Sequence, residues 1–217
     1  DTKFKVKCTG KMELYGQTFH CWKEKGHGWV SLKNAMKQSC DTYFYEVARL
    51  LGVDRLNITA EKFGLGKKVL GQYFENEKKG LFPNTTWKKN NLGKGWVLGE
   101  TLITGIGQGY TQTTPLQLCM MTAQIANGGY SIKPKIIVDN NPISYEDAKQ
   151  SMESGLLFDS ESEDLLDKKL FKNKKNIKII QEAMFSSTNE RFGTSYKSRI
   201  DDPKYQFAGK TGTAQVK

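Results

Sequence analysis

The sequence predicts a mixed α/β fold, and three observations carry that prediction. Apolar residues recur at helical spacing in several separated stretches, glycine- and β-prone segments lie between them, and 217 residues can bury a substantial core. A hydrophobic fraction of 37%, a charged fraction of 26% and 21 glycines describe an ordinary globular protein with many turns. No apolar run approaches the roughly 18 residues that span a bilayer. The opening Asp1-Thr2-Lys3-Phe4-Lys5 does not read as a signal peptide. The net charge of +10 raises a nucleic-acid reading. The lysines, however, are scattered as pairs through loop-like segments without aromatic interleaving, so they read as solvated surface, with an anionic polymer or membrane surface as the second reading. No nucleic-acid partner is expected.

Taken in order, residues 1–30 are rich in Cys, His, Gly and aromatics with little periodicity, and read as irregular loop held by something other than a core. Leu32, Ala35 and Met36, then Phe44, Val47, Ala48 and Leu51, fall at helical spacing on either side of Ser39-Cys40-Asp41. That tripeptide therefore sits at a helix–helix junction, with Asp41-Thr42 as N-cap and Gly52 closing the second helix. A third helix is expected over 54–63. Residues 67–99 read as surface loop with one short hairpin at most. The glycines of Gly105-Ile106-Gly107-Gln108-Gly109 do not fit a dinucleotide fingerprint, which needs a strand before and a helix directly after. Thr114 and Pro115 open a strong helix through Leu116, Leu118, Met121 and Ile125, with Cys119 on its apolar face as a core residue. A strand over 130–138 leads into a charged surface insertion, 139–175, followed by an amphipathic helix over 176–188 and a connection to a strand carrying Lys210.

That last stretch, Gly209-Lys210-Thr211-Gly212-Thr213, puts one cation and two hydroxyls along a strand with no bulk at Gly212. Glycine inside a strand marks a close approach to the backbone, and such an edge can hold a carboxylate and offer an N–H to an oxyanion. Together with Ser39-Cys40-Asp41, Gly107-Gln108-Gly109-Tyr110 and Thr114-Pro115-Leu116-Gln117, it makes the chain resemble the penicillin-binding protein transpeptidase domains of class B, elongation type (the penicillin-binding protein 2 group) over nearly its whole length. The resemblance implies a serine β-lactamase/transpeptidase-like fold, an antiparallel sheet flanked by helices. It implies a D,D-transpeptidase that cross-links peptidoglycan stem peptides through a serine acyl-enzyme and is acylated by β-lactams. Ser39 would relay a proton towards the leaving amine, Asp41 would orient the substrate amide, and Lys210 would hold Ser39 and add positive potential. Thr211 and Thr213 would bind the terminal carboxylate beside Gly212, and the Thr213 N–H would serve the oxyanion. An inner-membrane location on the periplasmic face and a glycosyltransferase partner follow from the same resemblance.

One departure stands out. The family's nucleophile lies in Ser-x-x-Lys, and no serine here is followed by lysine three positions later. The expectation is that 1–217 is part of a transpeptidase domain in a longer gene product and is inactive by itself. The alternatives are a pseudoenzyme, a β-lactamase or β-lactam sensor of the same superfamily, and a non-catalytic, metal-stapled cell-wall binding module.

A second constellation comes from the residues alone. Cys8, Cys21, His27 and Cys40 are separated by twelve, five and twelve intervening residues, and Gly10, Gly16, Gly26 and Gly28 let the segment fold around a point. Three thiolates and an imidazole suit a closed, structural tetrahedral zinc site within residues 1–40. A Cys8–Cys21 disulfide and three unrelated thiols stay open beside it. His20 is a rival ligand, made awkward by its adjacency to Cys21.

Overall fold

The structure, a computed structural model, describes residues 2–70, 74–134 and 169–214. They belong to two compact units, each assembled from separate segments. The first takes Asp1–Thr59, Phe82–Thr111 and Lys178–Lys217, and the second Ala60–Leu81 and Gln112–Ile177. No helix among the described residues is long and apolar enough to cross a membrane.

The first unit opens with four short strands, β1 (Lys5–Cys8), β2 (Lys11–Leu14), β3 (Gln17–His20) and β4 (Gly28–Ser31). Residues 1–30 are therefore not irregular loop. β1 pairs antiparallel with β4, setting Cys8 opposite Gly28, and β2 pairs with β3, setting Leu14 opposite Gln17. The β2–β3 loop is the dipeptide Tyr15-Gly16, both residues at positive φ (48° and 77°), which is the backbone that matches strand twist in a tight hairpin. Four-residue strands with one buried side chain each in β1, β3 and β4 carry too little alternation to be read from sequence.

Helices α1 (Leu32–Lys37) and α2 (Asp41–Leu51) follow, as the periodicity predicts, with Gly52 at the end of α2. The N-cap is Cys40 rather than Asp41, which is already helical. α2 buries Thr42, Tyr43, Tyr45 and Ala48 and packs against α1, β1, β2, β3 and α5 (Leu98–Gly105). One side of it closes a core of Cys8, Cys21, Val30, Ala35, Cys40 and Tyr43, and another a core of Phe19, Tyr45 and Leu102.

Helix α3 (Val53–Lys62) lies within a residue of its expected bounds at each end. Residues 67–99, expected to be loop, hold α4 (Thr85–Leu92) and the start of α5. Asn84 caps α4 by accepting the Trp87 N–H at 2.7 Å, and Gly93 ends it in the left-handed region. The α4 sequence TTWKKNNL has no apolar stripe, so periodicity could not mark it. Its Lys88, 5% exposed, pairs with Glu100 of α5 and lies over the Trp96 ring.

In the second unit α6 (Pro115–Ala126) begins at the expected Thr114 N-cap, and Gln117 completes a reciprocal capping box. Gln117 is fully buried and its amide donates to the carbonyls of Lys67 and Lys79, both at 2.8 Å. These hydrogen bonds, with Gln124 donating to Phe63 O, decide which face of α6 turns inward. Cys119 is exposed as a result, not core. Of the expected strand over 130–138, Tyr130 makes only an isolated bridge to Lys169; residues 135–138 of that strand and 139–168 of the expected insertion lie outside the described residues. The last α-helix among the described residues, α7 (Lys174–Asn189), contains the expected 176–188.

Removing one partner of the buried Lys88–Glu100 pair leaves the other uncompensated. Lys88→Ala is expected to lower the unfolding free energy by about 3 kcal/mol. Combining Lys88→Met with Glu100→Gln removes both charges while keeping most of the volume, and should cost less than that single change in the same denaturant titration.

Candidate functional site

The site is built on the turn between α1 and α2. The Ser39 N–H donates to Met36 O (3.3 Å) and the Cys40 N–H to Ala35 O (2.9 Å), the paired bonds of a Schellman motif. The position that motif reserves for a left-handed residue, usually glycine, is Ser39, at φ 52°. A side chain there costs about 1 kcal/mol. The strain aims the serine hydroxyl into a cleft of about 1020 Å³ lined by Trp22, Ser39, Asp41, Phe44, Thr194, Lys210, Thr211, Gly212 and Thr213 among others.

Ser39 and the Lys210 segment, 171 residues apart, meet in this cleft: the Lys210 ammonium donates to Ser39 Oγ at 2.7 Å. It also donates to Thr211 O at 2.9 Å. Thr211 Oγ1 lies 3.0 Å from Ser39 Oγ. Desolvation of the ammonium inside the cleft moves the Lys210 pKa below the usual lysine range, with Asp41 opposing the shift. Gly212 and Thr213 line the same cleft. The segment carrying them is anchored through the Gly209 N–H to Met184 O (3.2 Å) and Asn189 Nδ2 to Phe207 O (2.8 Å). It is not the strand expected from its composition: a strand needs a ladder partner, and no described segment pairs with it.

Asp41, half-buried, accepts the Trp22 backbone N–H at 2.9 Å, and burial raises its pKa against that bond. The Trp22 indole N–H donates to Gln38 O at 3.0 Å. Trp22 therefore grips the chain on both sides of Ser39, a role its sequence neighbourhood did not disclose. The one available signal was its position directly after Cys21.

The four expected metal-binding residues do come together. The donor atoms of Cys8, Cys21, His27 and Cys40 all lie within 4.8 Å of one another. Cys8 Sγ and Cys21 Sγ are each 3.6 Å from His27 Nδ1. A tetrahedral centre with Zn–S near 2.3 Å and Zn–N near 2.05 Å has S···N edges of roughly 3.5 Å, so the arrangement fits such an ion. The three cysteines are buried and unbridged, which is not the Cys8–Cys21 disulfide kept open on sequence. Cys40 lies near enough to pull the Cys21 thiol towards its ionised form while its own ionisation is made harder by that hydrogen bond and by burial. His20 is outside the group, exposed at the end of β3. Gly26 (φ 73°) allows the loop to close, because a Cβ there would stand 2.2 Å from Cys8 O.

A second support comes from the end of α7. Glu190 accepts from Lys37 (2.8 Å) and Lys33 (3.1 Å) of α1 and from Ser186 (2.8 Å). These hydrogen bonds, Lys37 first, hold the Glu190 carboxyl at a pKa of about 2.

Two outcomes are expected. Ser39→Gly and Ser39→Ala both lose the hydroxyl, but only glycine relieves the backbone, so the glycine variant should be the more stable by about 1 kcal/mol in chemical denaturation. Glu190, depressed in the folded state, contributes stability that is complete above the ordinary carboxylate pKa of about 4.3 and is lost as pH falls towards 2. Glu190→Gln should flatten the melting temperature across that acid window, by a modest amount because the side chain is 42% exposed and screened.

Residues 1–217 match the family model described as the penicillin binding protein transpeptidase domain. The peptidoglycan D,D-transpeptidase MrdA of Acinetobacter baumannii is 36% identical over 199 residues, covering 92% of this chain and 27% of that protein. The chain thus spans a little over a quarter of that curated relative. PBP2 of Pseudomonas aeruginosa, solved in complex with WCK 5153, is 36% identical with a TM-score of 0.81, over 99% of this chain and 46% of that one. PBP2 of Helicobacter pylori, solved with MreC, is 29% identical with a TM-score of 0.78, over 100% of this chain and 36% of that one. On a family match that runs its whole length, and on the Ser39–Lys210 cleft it builds, the chain belongs to the penicillin-binding protein transpeptidase family.

Proposed function

We propose that this chain forms part of a peptidoglycan D,D-transpeptidase that is acylated by β-lactams. The observation that carries the reading is the Lys210 ammonium donating to Ser39 Oγ at 2.7 Å, beside the Thr211-Gly212-Thr213 stretch in one cleft. An ammonium has no lone pair to give, so it occupies an acceptor site on Ser39 and leaves the serine proton to be donated. Ser39 then relays a proton: it passes its own to the nitrogen that leaves when the donor peptide's D-Ala-D-Ala bond is broken, and regains one from the lysine of the Ser-x-x-Lys segment, which takes it from the attacking serine as the acyl-enzyme bond forms. Lys210 supplies positive potential for the substrate's terminal carboxylate, Thr211 and Thr213 supply hydroxyls for it, and the Thr213 N–H serves as a donor to the developing oxyanion. Asp41 orients the substrate amide with the carboxylate oxygen that Trp22 leaves free. The nucleophilic serine and its lysine belong to a Ser-x-x-Lys segment elsewhere in the longer protein, so residues 1–217 alone are not expected to turn over.

The metal of the Cys8, Cys21, His27 and Cys40 group is zinc in this reading, and it supplies a structural tie rather than chemistry. Such a tie is worth on the order of 10 kcal/mol of folding free energy, against about 1 kcal/mol for a helix cap. Cys40 adjoins Ser39, and Cys21 adjoins the Trp22 clamp, so the tie ends at the catalytic turn. Residues 1–40 act as a metal-binding region within the domain, and 139–175 as a surface insertion. An envelope location, on the periplasmic face of the inner membrane, and partnership with a glycosyltransferase complete the proposal. A relative 26% identical to this chain, seen in a peptidoglycan synthase complex that coordinates polymerization and crosslinking, supports such a partnership.

The test is covalent labelling of the full-length protein by a fluorescent penicillin. Labelling that disappears in Lys210→Ala is expected, and a wild-type protein that never labels would sink the reading. Elemental analysis should find about one zinc per chain. Cys21→Ser should lose zinc, melt at lower temperature and acylate more slowly, although Cys21 does not touch substrate. Unchanged melting and acylation in that variant would remove the metal from the account.

A further inference from the structure

Thr194 belongs to none of the motifs that mark the family, yet its hydroxyl stands at the centre of the cleft's polar groups. Thr194 Oγ1 is 3.1 Å from Ser39 Oγ, 3.1 Å from Thr211 Oγ1 and 3.3 Å from Ser187 Oγ. Its backbone is fixed on two sides. The Thr194 N–H donates to Lys37 O at the end of α1 (3.0 Å), and the next N–H, of Ser195, donates to Ser187 O in α7 (3.1 Å). The turn approaches α7 so closely that a Cβ at Gly193 would stand 2.1 Å from Ser187 O. Ser187, on the other side of Thr194 from the cleft, is fully buried.

Counting donors and acceptors, with the shorter contacts preferred, gives this cluster a direction; Lys37 O is also within reach of the Thr194 hydroxyl, but at 3.5 Å it is farther than Ser39 Oγ and Thr211 Oγ1, both at 3.1 Å. A serine hydroxyl has one proton and two lone pairs. Lys210 fills one lone pair of Ser39. If Ser39 spent its proton on Thr194, that proton would point away from the cleft. A Ser187 proton given to Thr194, and the Thr194 proton given to Ser39, instead fill the second lone pair of Ser39. The Ser39 proton then has the cleft side left to it, where Thr211 Oγ1 accepts it at 3.0 Å until the Thr211 hydroxyl turns to a substrate carboxylate. We propose that Thr194 is a positioning residue that, through a one-way hydroxyl chain Ser187→Thr194→Ser39, holds the Ser39 O–H aimed at the leaving nitrogen. The inference rests on the transpeptidase reading above and adds no bond-making step to it.

The test measures acylation of the full-length protein by a fluorescent penicillin over a range of concentrations, separating the acylation rate constant from the dissociation constant of the first complex. Thr194→Val keeps the side-chain shape and the N–H bond to Lys37 but lacks the hydroxyl. Its acylation rate constant should fall about ten- to a hundredfold, with the dissociation constant within about twofold of wild type. Thr194→Ser restores the hydroxyl and should recover the rate to within about threefold of wild type. A structural defect would move the dissociation constant as well and would not sort by the hydroxyl. Ser187→Ala, which breaks the chain one step further back, should slow acylation in the same direction by a smaller factor, and it decides the matter if the valine variant does not fold. Thr194→Val acylating at the wild-type rate, a loss confined to the dissociation constant, no rescue by serine, or a wild-type rate in Ser187→Ala would each overturn the inference. A wild-type protein that labels while Thr194→Val matches it sinks this inference alone, whereas a wild-type protein that does not label sinks the transpeptidase reading with it.

Discussion

The left-handed backbone at Ser39 is the constraint on which the rest of the site depends. Helix α1 has to end and α2 begin within three residues, and the Schellman bonds that make this possible demand a residue at φ near +50° (Ser39, 52°). Glycine would meet the demand without strain. Serine meets it at a cost of about 1 kcal/mol and in return presents a hydroxyl at a point where two helix ends and the Lys210 segment converge. Strained residues persist only where their surroundings over-determine them, and the surroundings of Ser39 do so from several directions. Trp22 bonds the residues on either side of it, and Thr194 and Lys210 bond the hydroxyl itself.

These restraints have unequal strength, and the difference gives them different roles. A single hydrogen bond contributes about 1 kcal/mol net, too little to hold a strained turn against local opening by itself. The Cys8, Cys21, His27 and Cys40 group, whose donor atoms are gathered to one point, would be of another order with a structural metal bound, because such a metal converts its binding energy into folding energy. Two of its members are one residue from the machinery: Cys40 beside Ser39 and Cys21 beside Trp22. The left-handed glycine at Gly26 and the short β1–β4 pair exist, in energetic terms, to bring four distant donors to one point. With a metal held there, the cleft would inherit its rigidity from that point.

The opposite wall of the cleft rests on the C-terminal turn of α7. Ser186, Ser187 and Thr188 are all at most 1% exposed, small and polar enough to admit the Gly193-Thr194 turn and the Gly209 backbone against the helix. Larger apolar residues would fill that space and push both segments out. Glu190, just beyond the helix, returns to the two lysines of α1. Segments more than 150 residues apart are thus joined around the same turn by charge, by hydroxyl contacts and by backbone hydrogen bonds.

Several features were determined by the sequence itself. Apolar spacing marked α1, α2, α6 and α7, the Thr114-Pro115 pair marked the start of α6, and the thiols and imidazole marked the group that the fold gathers. Each of these signals is local or rests on a residue type with few other uses. The tertiary structure alone decided the rest. Four-residue strands and the stripe-less α4 carry no period to detect. Cys119 faces outward because buried amides at Gln117 and Gln124, not apolar spacing, set the orientation of α6. The Lys210 stretch has strand composition but gains no ladder, since a strand is defined by its neighbour. Trp22 and Thr194 are ordinary residue types whose importance lies in what they touch. A single chain of letters records no contact between residues 19 or 155 positions apart; packing creates it.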